Sequence, residues 1–212
     1  TGRVSDLPTV ALGTLKYGAV FCPLLASFGP EPIRTRLVKG DARVLVTTPT
    51  LWRQKGLENV CAGLPGLKHV LLTGKGEDHP PTGAHSLHAL LSAADPSFVI
   101  PDTDPEDMAL LHFTSGTTGP PKAAVHVHEA VVAQHATGQI ALDLRPDDVF
   151  WCTADPGWIT GTSYGLIAPL TRGVTSVVDE GGFEAERCYR VLEEHCVTVW
   201  YTTPTVLRRL MR

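Results

Sequence analysis

The sequence predicts an α/β fold in which alternating strands and helices form largely parallel sheets covered by helices. Two observations carry this prediction. Runs with the length and apolar content of buried strands alternate along the chain with runs of helical character. Gly and Pro punctuate the boundaries between them.

Taken in order, "DLPTVALGTLKYGAV" reads as a helix capped by Asp6 with Pro8 in its first turn, and "FCPLL" as a short strand. "GPEPIRTRLVKGD" is a helix stopped by Gly40. "ARVLVTT" and "LKHVLLTG" are strands, the second bounded by Gly66 and Gly74. From Gly74 to Asp107 the chain is rich in Gly, Pro, His and Asp, with one helical patch at "SLHALLSAA". This stretch reads as a connection, residues 74–107, between a first α/β half, 1–73, and a second, 108–212.

The second half resumes the alternation. "MALLHFTSG" is a strand, "HEAVVAQHATGQIALDL" a helix and "DVFWCTAD" a strand. "SYGLIAPLTRG" is a helix, "VTSVVDE" a strand, "FEAERCYRVLEEHC" a helix and "VTVWYTTP" a strand. In the closing "TPTVLRRLMR", Thr205 reads as the N-cap of a helix that is cut off, and the chain begins without Met, so a fragment is expected. No internal repeat suggests a solenoid.

Composition narrows the class. With 212 residues, 43% hydrophobic and 19% charged, the chain can bury a sizeable core. A net charge of −4 offers no basic face for nucleic acid. No apolar run approaches the roughly 20 residues that span a bilayer, and no leader opens the chain, so a soluble, cytoplasmic protein without a membrane partner is expected. Five cysteines, Cys22, Cys61, Cys152, Cys188 and Cys196, are widely spaced without a CxxC pair, which argues for reduced buried thiols. His126 and His128 would share one side of an extended stretch, with His135 following. No acidic or Cys partner completes a metal set, so no metal ligand is assigned.

The chemistry concentrates at "LLHFTSGTTGPPKAAVHVHEA". A turn after a buried strand aims backbone N–H groups out of the carboxyl edge of a sheet, where ligands of open α/β folds bind. Gly116 and Gly119 permit close approach, and Thr114, Ser115, Thr117 and Thr118 add hydroxyl donors suited to phosphate oxygens. Lys122 adds a compact positive charge behind the stiff pair Pro120–Pro121. A Walker A loop is excluded: Pro121 stands where its second Gly belongs, and Ala123 follows the Lys. The GxGxxG pattern fails as well.

"FTSGTTGPPKA" resembles the phosphate-loop signature of the adenylate-forming superfamily. "WCTADPGWITGTSYGLIAPLTRG", "YTTPTVLRRLM" and "PLLASFGPEPIRTRL" resemble segments of its short-chain acyl-CoA synthetases, acetyl-CoA synthetases above all. The chain is thus identified as part of the large N-terminal domain of such an enzyme. The resemblance implies ATP, Mg²⁺ and CoA as substrates and cofactor, with a small carboxylate, acetate favoured. The carboxylate attacks the α-phosphate of ATP to give acyl-AMP and pyrophosphate, and the CoA thiol then displaces AMP.

The resemblance further implies that Thr114 to Lys122 embraces the β- and γ-phosphates. Ala123 departs from the Gly usual there. Trp158, Ile159, Thr160 and Gly161 are implied beside the acyl pocket and pantetheine tunnel, and Thr202, Thr203 and Pro204 along the CoA tunnel. Leu25, Ala26, Ser27 and Arg53 are implied at the CoA nucleotide, where an Arg fork suits a 3′-phosphate. Read without the resemblance, Gly157 and Gly161 around Trp158 already imply a special backbone.

The catalytic Lys and Mg²⁺-binding Glu of the family, with its C-terminal domain, are expected beyond residue 212. The 212 residues alone are therefore expected to bind phosphate weakly, without turnover. Three alternatives stand beside this reading: a parent acting on propionate, acetoacetate or a medium-chain acid, an ATP-binding remnant, and a small-molecule kinase. The last lacks a candidate base or metal carboxylate near the loop.

Overall fold

A computed structural model describes residues 2–74, 80–114 and 121–211. Helix α1 (Leu7–Lys16) carries Pro8 in its first turn, where a missing N–H breaks no helical bond. Asp6 precedes it but does not cap it with its side chain. Its carboxylate is engaged elsewhere: Oδ2 accepts from the Gly74 N–H at 3.0 Å, and Oδ1 lies 3.3 Å from His88 Nε2. "FCPLL" is not a strand. It contributes one parallel bridge, Phe21 to Leu110, because Pro23 has no N–H with which to extend a ladder.

Helix α2 (Pro30–Lys39) ends at Gly40, whose N–H returns to the Arg36 carbonyl at 2.8 Å. Strand β1 (Val44–Thr47) leads into two short helices absent from the expected elements, α3 (Pro49–Gln54) and α4 (Leu57–Ala62). Thr48 caps α3, its side chain accepting from the Leu51 N–H at 3.1 Å. Strands β2 (His69–Leu72) and β3 (His85–Ser86) complete a parallel sheet in the order β1-β2-β3. The helices bury Ile33, Leu37, Trp52, Leu57 and Val60 with Val70 and Leu72. Full burial of such a side chain contributes roughly 1.5–3 kcal/mol. Helix α5 (Leu87–Ala93) lies in the expected helical patch and is capped by Ser86, whose side chain accepts from the Ala89 N–H at 3.3 Å.

Strands β4 (Met108–Thr114) and β5 (Lys122–Val127) pair antiparallel, a departure from the parallel pattern. The segment between them is too short for a parallel crossover, which needs about a dozen residues or more. Helix α6 (Ala130–Ile140) and strand β6 (Val149–Cys152) follow. The next helix begins four residues before the expected Ser163: α7 (Ile159–Thr162) runs through a π turn (Ser163–Ile167) into α8 (Ala168–Arg172). Pro169 cannot donate to the carbonyl four residues back, and the helix widens just ahead of it.

Strand β7 (Thr175–Val177), helix α9 (Ala185–Glu194) and strand β8 (Val199–Tyr201) complete a second parallel sheet, ordered β7-β6-β8. Alternation along β6 sends its two large residues to opposite faces. Phe150 packs with Leu144 and Val174, while Trp151 packs with Cys188 and Val191 and stacks on Trp200 at 5.6 Å. Helix α10 (Pro204–Leu210) is capped by Thr203 rather than Thr205. Pro204, with φ already suited to a first helical residue, sets the start two residues earlier.

A further core holds Leu7 and Ala11 of α1 with Phe21, Ala109, Leu110, Leu166 and Ile167. It fixes β4 against the π turn. The five cysteines are free, but the expectation of buried thiols holds fully only for Cys188: Cys22, Cys61 and Cys152 are partly buried, and Cys196 is exposed at φ 47° just past α9. Burial pushes the thiols of Cys22 and Cys61 up to about 11, which keeps them protonated at neutral pH. Among the described residues, no helix is long and apolar enough to cross a membrane.

Candidate functional site

Ser115, Gly116, Thr117, Thr118 and Gly119 lie outside the described residues. The two ends of their loop are described. Thr114 closes β4 and Lys122 opens β5, and the two are direct partners in the antiparallel ladder. Thr114 Oγ1 lies 3.5 Å from the Lys122 carbonyl oxygen, and both residues are exposed. A second cation stands at the same foot. Lys39, the last residue of α2, donates from Nζ to the Pro121 carbonyl at 2.7 Å. Nothing in the sequence signalled it, because it comes 82 positions earlier.

Trp158, Ile159, Thr160 and Gly161 form the turn after β6 and the first residues of α7. Trp158 is 52% exposed and Ile159 is 40% exposed, so neither belongs to a core. Asp155 organises the turn: its Oδ1 accepts from the Gly157 N–H at 2.7 Å, and its carbonyl accepts from the Trp158 N–H at 2.9 Å. Both flanking glycines are required sterically. A β-carbon on Gly157 would collide with the backbone of Leu24 and Leu25, and one on Gly161 with the carbonyl of Asp155.

The phosphate-loop strand and this turn are joined through the interior. His112 of β4 is buried, and its Nε2 lies 3.1 Å from Oγ1 of Thr162, the last residue of α7. Thr162 Oγ1 in turn donates to the Pro156 carbonyl at 2.6 Å. With the hydroxyl proton committed there, the 3.1 Å contact is Nε2–H donating to the hydroxyl oxygen. Burial, aided by the neighbouring His126, lowers the His112 pKa to about 4, so the ring is neutral near pH 7. The His126 ring stands edge-on at 5.7 Å. One layer further in, Gln134 of α6 donates to Ser163 Oγ at 3.1 Å and steadies the π turn. The one hint of these contacts in the sequence is a His inside the apolar run "MALLHF"; Thr162 carries no such hint.

Thr202 follows β8 and meets Thr153, which follows β6, at 2.6 Å between hydroxyl oxygens. Thr203 spends its side chain on capping α10, accepting from the Val206 N–H at 3.4 Å. The segment Leu25 to Ser27 reaches the acyl turn through the Leu25–Gly157 contact. Ala26 also lines a cleft of about 640 Å³ with Arg3, Asp6, Thr48, Asp155 and Glu180. This cleft opens at the carboxyl ends of β1 and β6, the edge where open parallel sheets bind ligands. Arg53 is exposed on α3, two residues past the cleft-lining Leu51. Among the described residues, no three His, Cys, Asp or Glu side chains are arranged to hold a metal ion.

Comparison with known proteins places the chain in one family. The model of the AMP-binding enzyme family matches residues 2–212. The chain is 41% identical over 209 residues to the acetyl-coenzyme A synthetase of Bacillus subtilis, covering 99% of the chain and 36% of that protein. To the acetyl-coenzyme A synthetase of Methanothrix thermoacetophila it is 32% identical, covering 99% and 34%. The chain therefore spans about a third of the length of these relatives. Among solved structures, the Brucella canis acyl-CoA synthetase superposes with a TM-score of 0.87 at 31% identity, covering 99% of the chain and 37% of its own. An anthranilate CoA ligase in complex with anthranoyl-AMP superposes with a TM-score of 0.89 at 25% identity, covering 97% and 39%.

Proposed function

The chain belongs to the AMP-binding enzyme family, and on that premise we propose that it supplies the phosphate-binding and acyl-binding part of an acid–thiol ligase for a short carboxylic acid, acetate first. The carboxylate oxygen attacks the α-phosphorus of ATP and pyrophosphate leaves. The CoA thiolate then attacks the acyl carbon and AMP leaves. The observation that carries this reading is the pairing of Thr114 with Lys122, which frames a segment of Gly, Ser and Thr with a cation at its foot.

In this reading Lys122 and the loop hydroxyls neutralise the β- and γ-phosphates, so that pyrophosphate departs with its charge already matched. Each hydrogen bond to a charged oxygen contributes roughly 1.5–3 kcal/mol. Mg²⁺ belongs to the ATP phosphates, and no described residue is assigned to it. Trp158 and Ile159, presented on a rigid turn, form the wall that limits acid length. Thr202 faces the path of the CoA arm beside Thr153, and Leu25, Ala26, Ser27 and Arg53 take its nucleotide end.

Turnover is proposed for the longer ligase, since the chain spans about a third of its relatives. The test is acid-dependent exchange of pyrophosphate into ATP by that ligase, with acetate, propionate, acetoacetate, a medium-chain acid and anthranilate. Acetate is expected to support the fastest exchange, and Lys122→Ala to slow it by roughly tenfold or more. Exchange with none of the acids, or equal exchange in Lys122→Ala, overturns the reading.

A further inference from the structure

The buried contact between β4 and α7 has no role in the reading above beyond its position. We propose that His112 is a positioning residue, holding the turn that presents Trp158 at a fixed pose relative to the phosphate-loop strand through Thr162 and Pro156. Four observations converge on it.

His112 stands two residues before Thr114, so its place is tied to the foot of the loop. Its Nε2–H reaches Thr162 Oγ1 at 3.1 Å, and that hydroxyl donates to the Pro156 carbonyl at 2.6 Å. The bonds thus grip the turn at Pro156, before Trp158, and at Thr162, after it. The opposite side of the turn is closed by Gly157 against the backbone of Leu25. The turn can shift only if one of these contacts breaks.

The directions of the two bonds are also fixed. Thr162 is fully buried and cannot exchange either partner for water. Among the described residues the Nδ1 of His112 is buried without a hydrogen-bond partner, so Thr162 is the polar partner that holds the ring. A neutral ring with its proton on Nε2 is the arrangement that satisfies the Thr162 side. An apolar residue would satisfy the rest of the strand equally well. The polar ring is therefore explained by what it holds. Movement of Thr114 and movement of the Trp158 turn become one movement, and ligand on the loop is felt at the acyl wall.

This inference rests on the proposed phosphate and acyl roles for what is transmitted, but the positional link can be tested without ligand. The chain is labelled with 5-fluorotryptophan, which gives four resonances for Trp52, Trp151, Trp158 and Trp200, and Trp158→Phe assigns the exposed one. In His112→Leu the Trp158 resonance is expected to shift and broaden while that of Trp52 stays in place. His112→Gln, which offers an N–H near the same point, is expected to restore it. Thr162→Val removes the other end of the bond and is expected to act as His112→Leu does; it also serves if His112→Leu fails to fold. The double variant is expected to move Trp158 no further than either single one.

An unmoved Trp158 resonance in folded His112→Leu or Thr162→Val overturns the proposal. Equal displacement of all four resonances, or no restoration by Gln, overturns it too. Adding ATP with Mg²⁺, or pyrophosphate alone, is then expected to move Trp158 in the wild-type chain and to move it less in Thr162→Val. If neither moves it in the wild type, the phosphate reading of the loop fails, while the link itself has already been decided by the ligand-free spectra.

Discussion

Gly157 lies against the backbone of Leu25 so closely that no β-carbon fits between them. The contact joins two segments far apart in sequence, the turn carrying Trp158 and the stretch Leu25 to Ser27. In the proposed reading these segments serve the acid and the CoA nucleotide.

Substitution at this contact is expected to act on both. Gly157→Ala forces its new methyl into backbone that has no soft end to move aside, so overpacking of about 1–3 kcal/mol is expected. A drop in the urea midpoint without a change in the slope m is the measurement. An unchanged midpoint means that the turn is free to move away from Leu25.

Much of the fold was legible because strand and helix runs carried their own punctuation. Gly40 stops α2, a helix forms at the patch around Leu87, and the apolar runs at β1, β2, β6 and β8 stand where their content put them. The misses share a cause. "FCPLL" has strand composition, but Pro23 and the position of β4 limit it to one bridge. Thr205 was a plausible cap until Pro204 claimed the first helical position. At the site, the sequence marked residues whose chemistry is local, such as Lys122 and the glycines around Trp158. It could not mark Lys39 or Thr162, which matter through contacts with residues tens of positions away.

His112 sets a pH dependence with a definite sign. Its pKa is lowered to about 4 in the folded chain, first by burial and then by His126, against about 6.5 when unfolded. Between these values the unfolded chain binds more protons, so stability falls as pH drops from about 6.5 toward 4. Nitrogen-15 NMR of the ring is expected to show Nε2–H and empty Nδ1 unchanged from pH 8 down to 5. Titration near 6.5 would mean that the ring is not held in the interior.

Asp179 adds a second window. The Arg187 side chain binds its carboxylate through both Nε and Nη2, and this pairing holds the carboxyl below its ordinary pKa despite burial. A lowered carboxyl stabilises the fold above about pH 4, and that contribution is lost as pH falls through the folded value. Asp179→Asn is expected to be less stable than wild type at pH 7 and to converge on it as pH falls through the lowered pKa of the folded carboxyl, measured by urea unfolding at each pH. A constant gap would show that the charge of Asp179 is not what the pair contributes.

Calorimetric titration of the chain with ATP and Mg²⁺, wild type against Lys122→Ala, tests directly whether the Thr114–Lys122 segment holds the phosphates. Weak one-to-one binding is expected, competed by pyrophosphate and weakened roughly tenfold or more by loss of the lysine. Equal affinity in the two proteins, or binding that pyrophosphate leaves untouched, would contradict it.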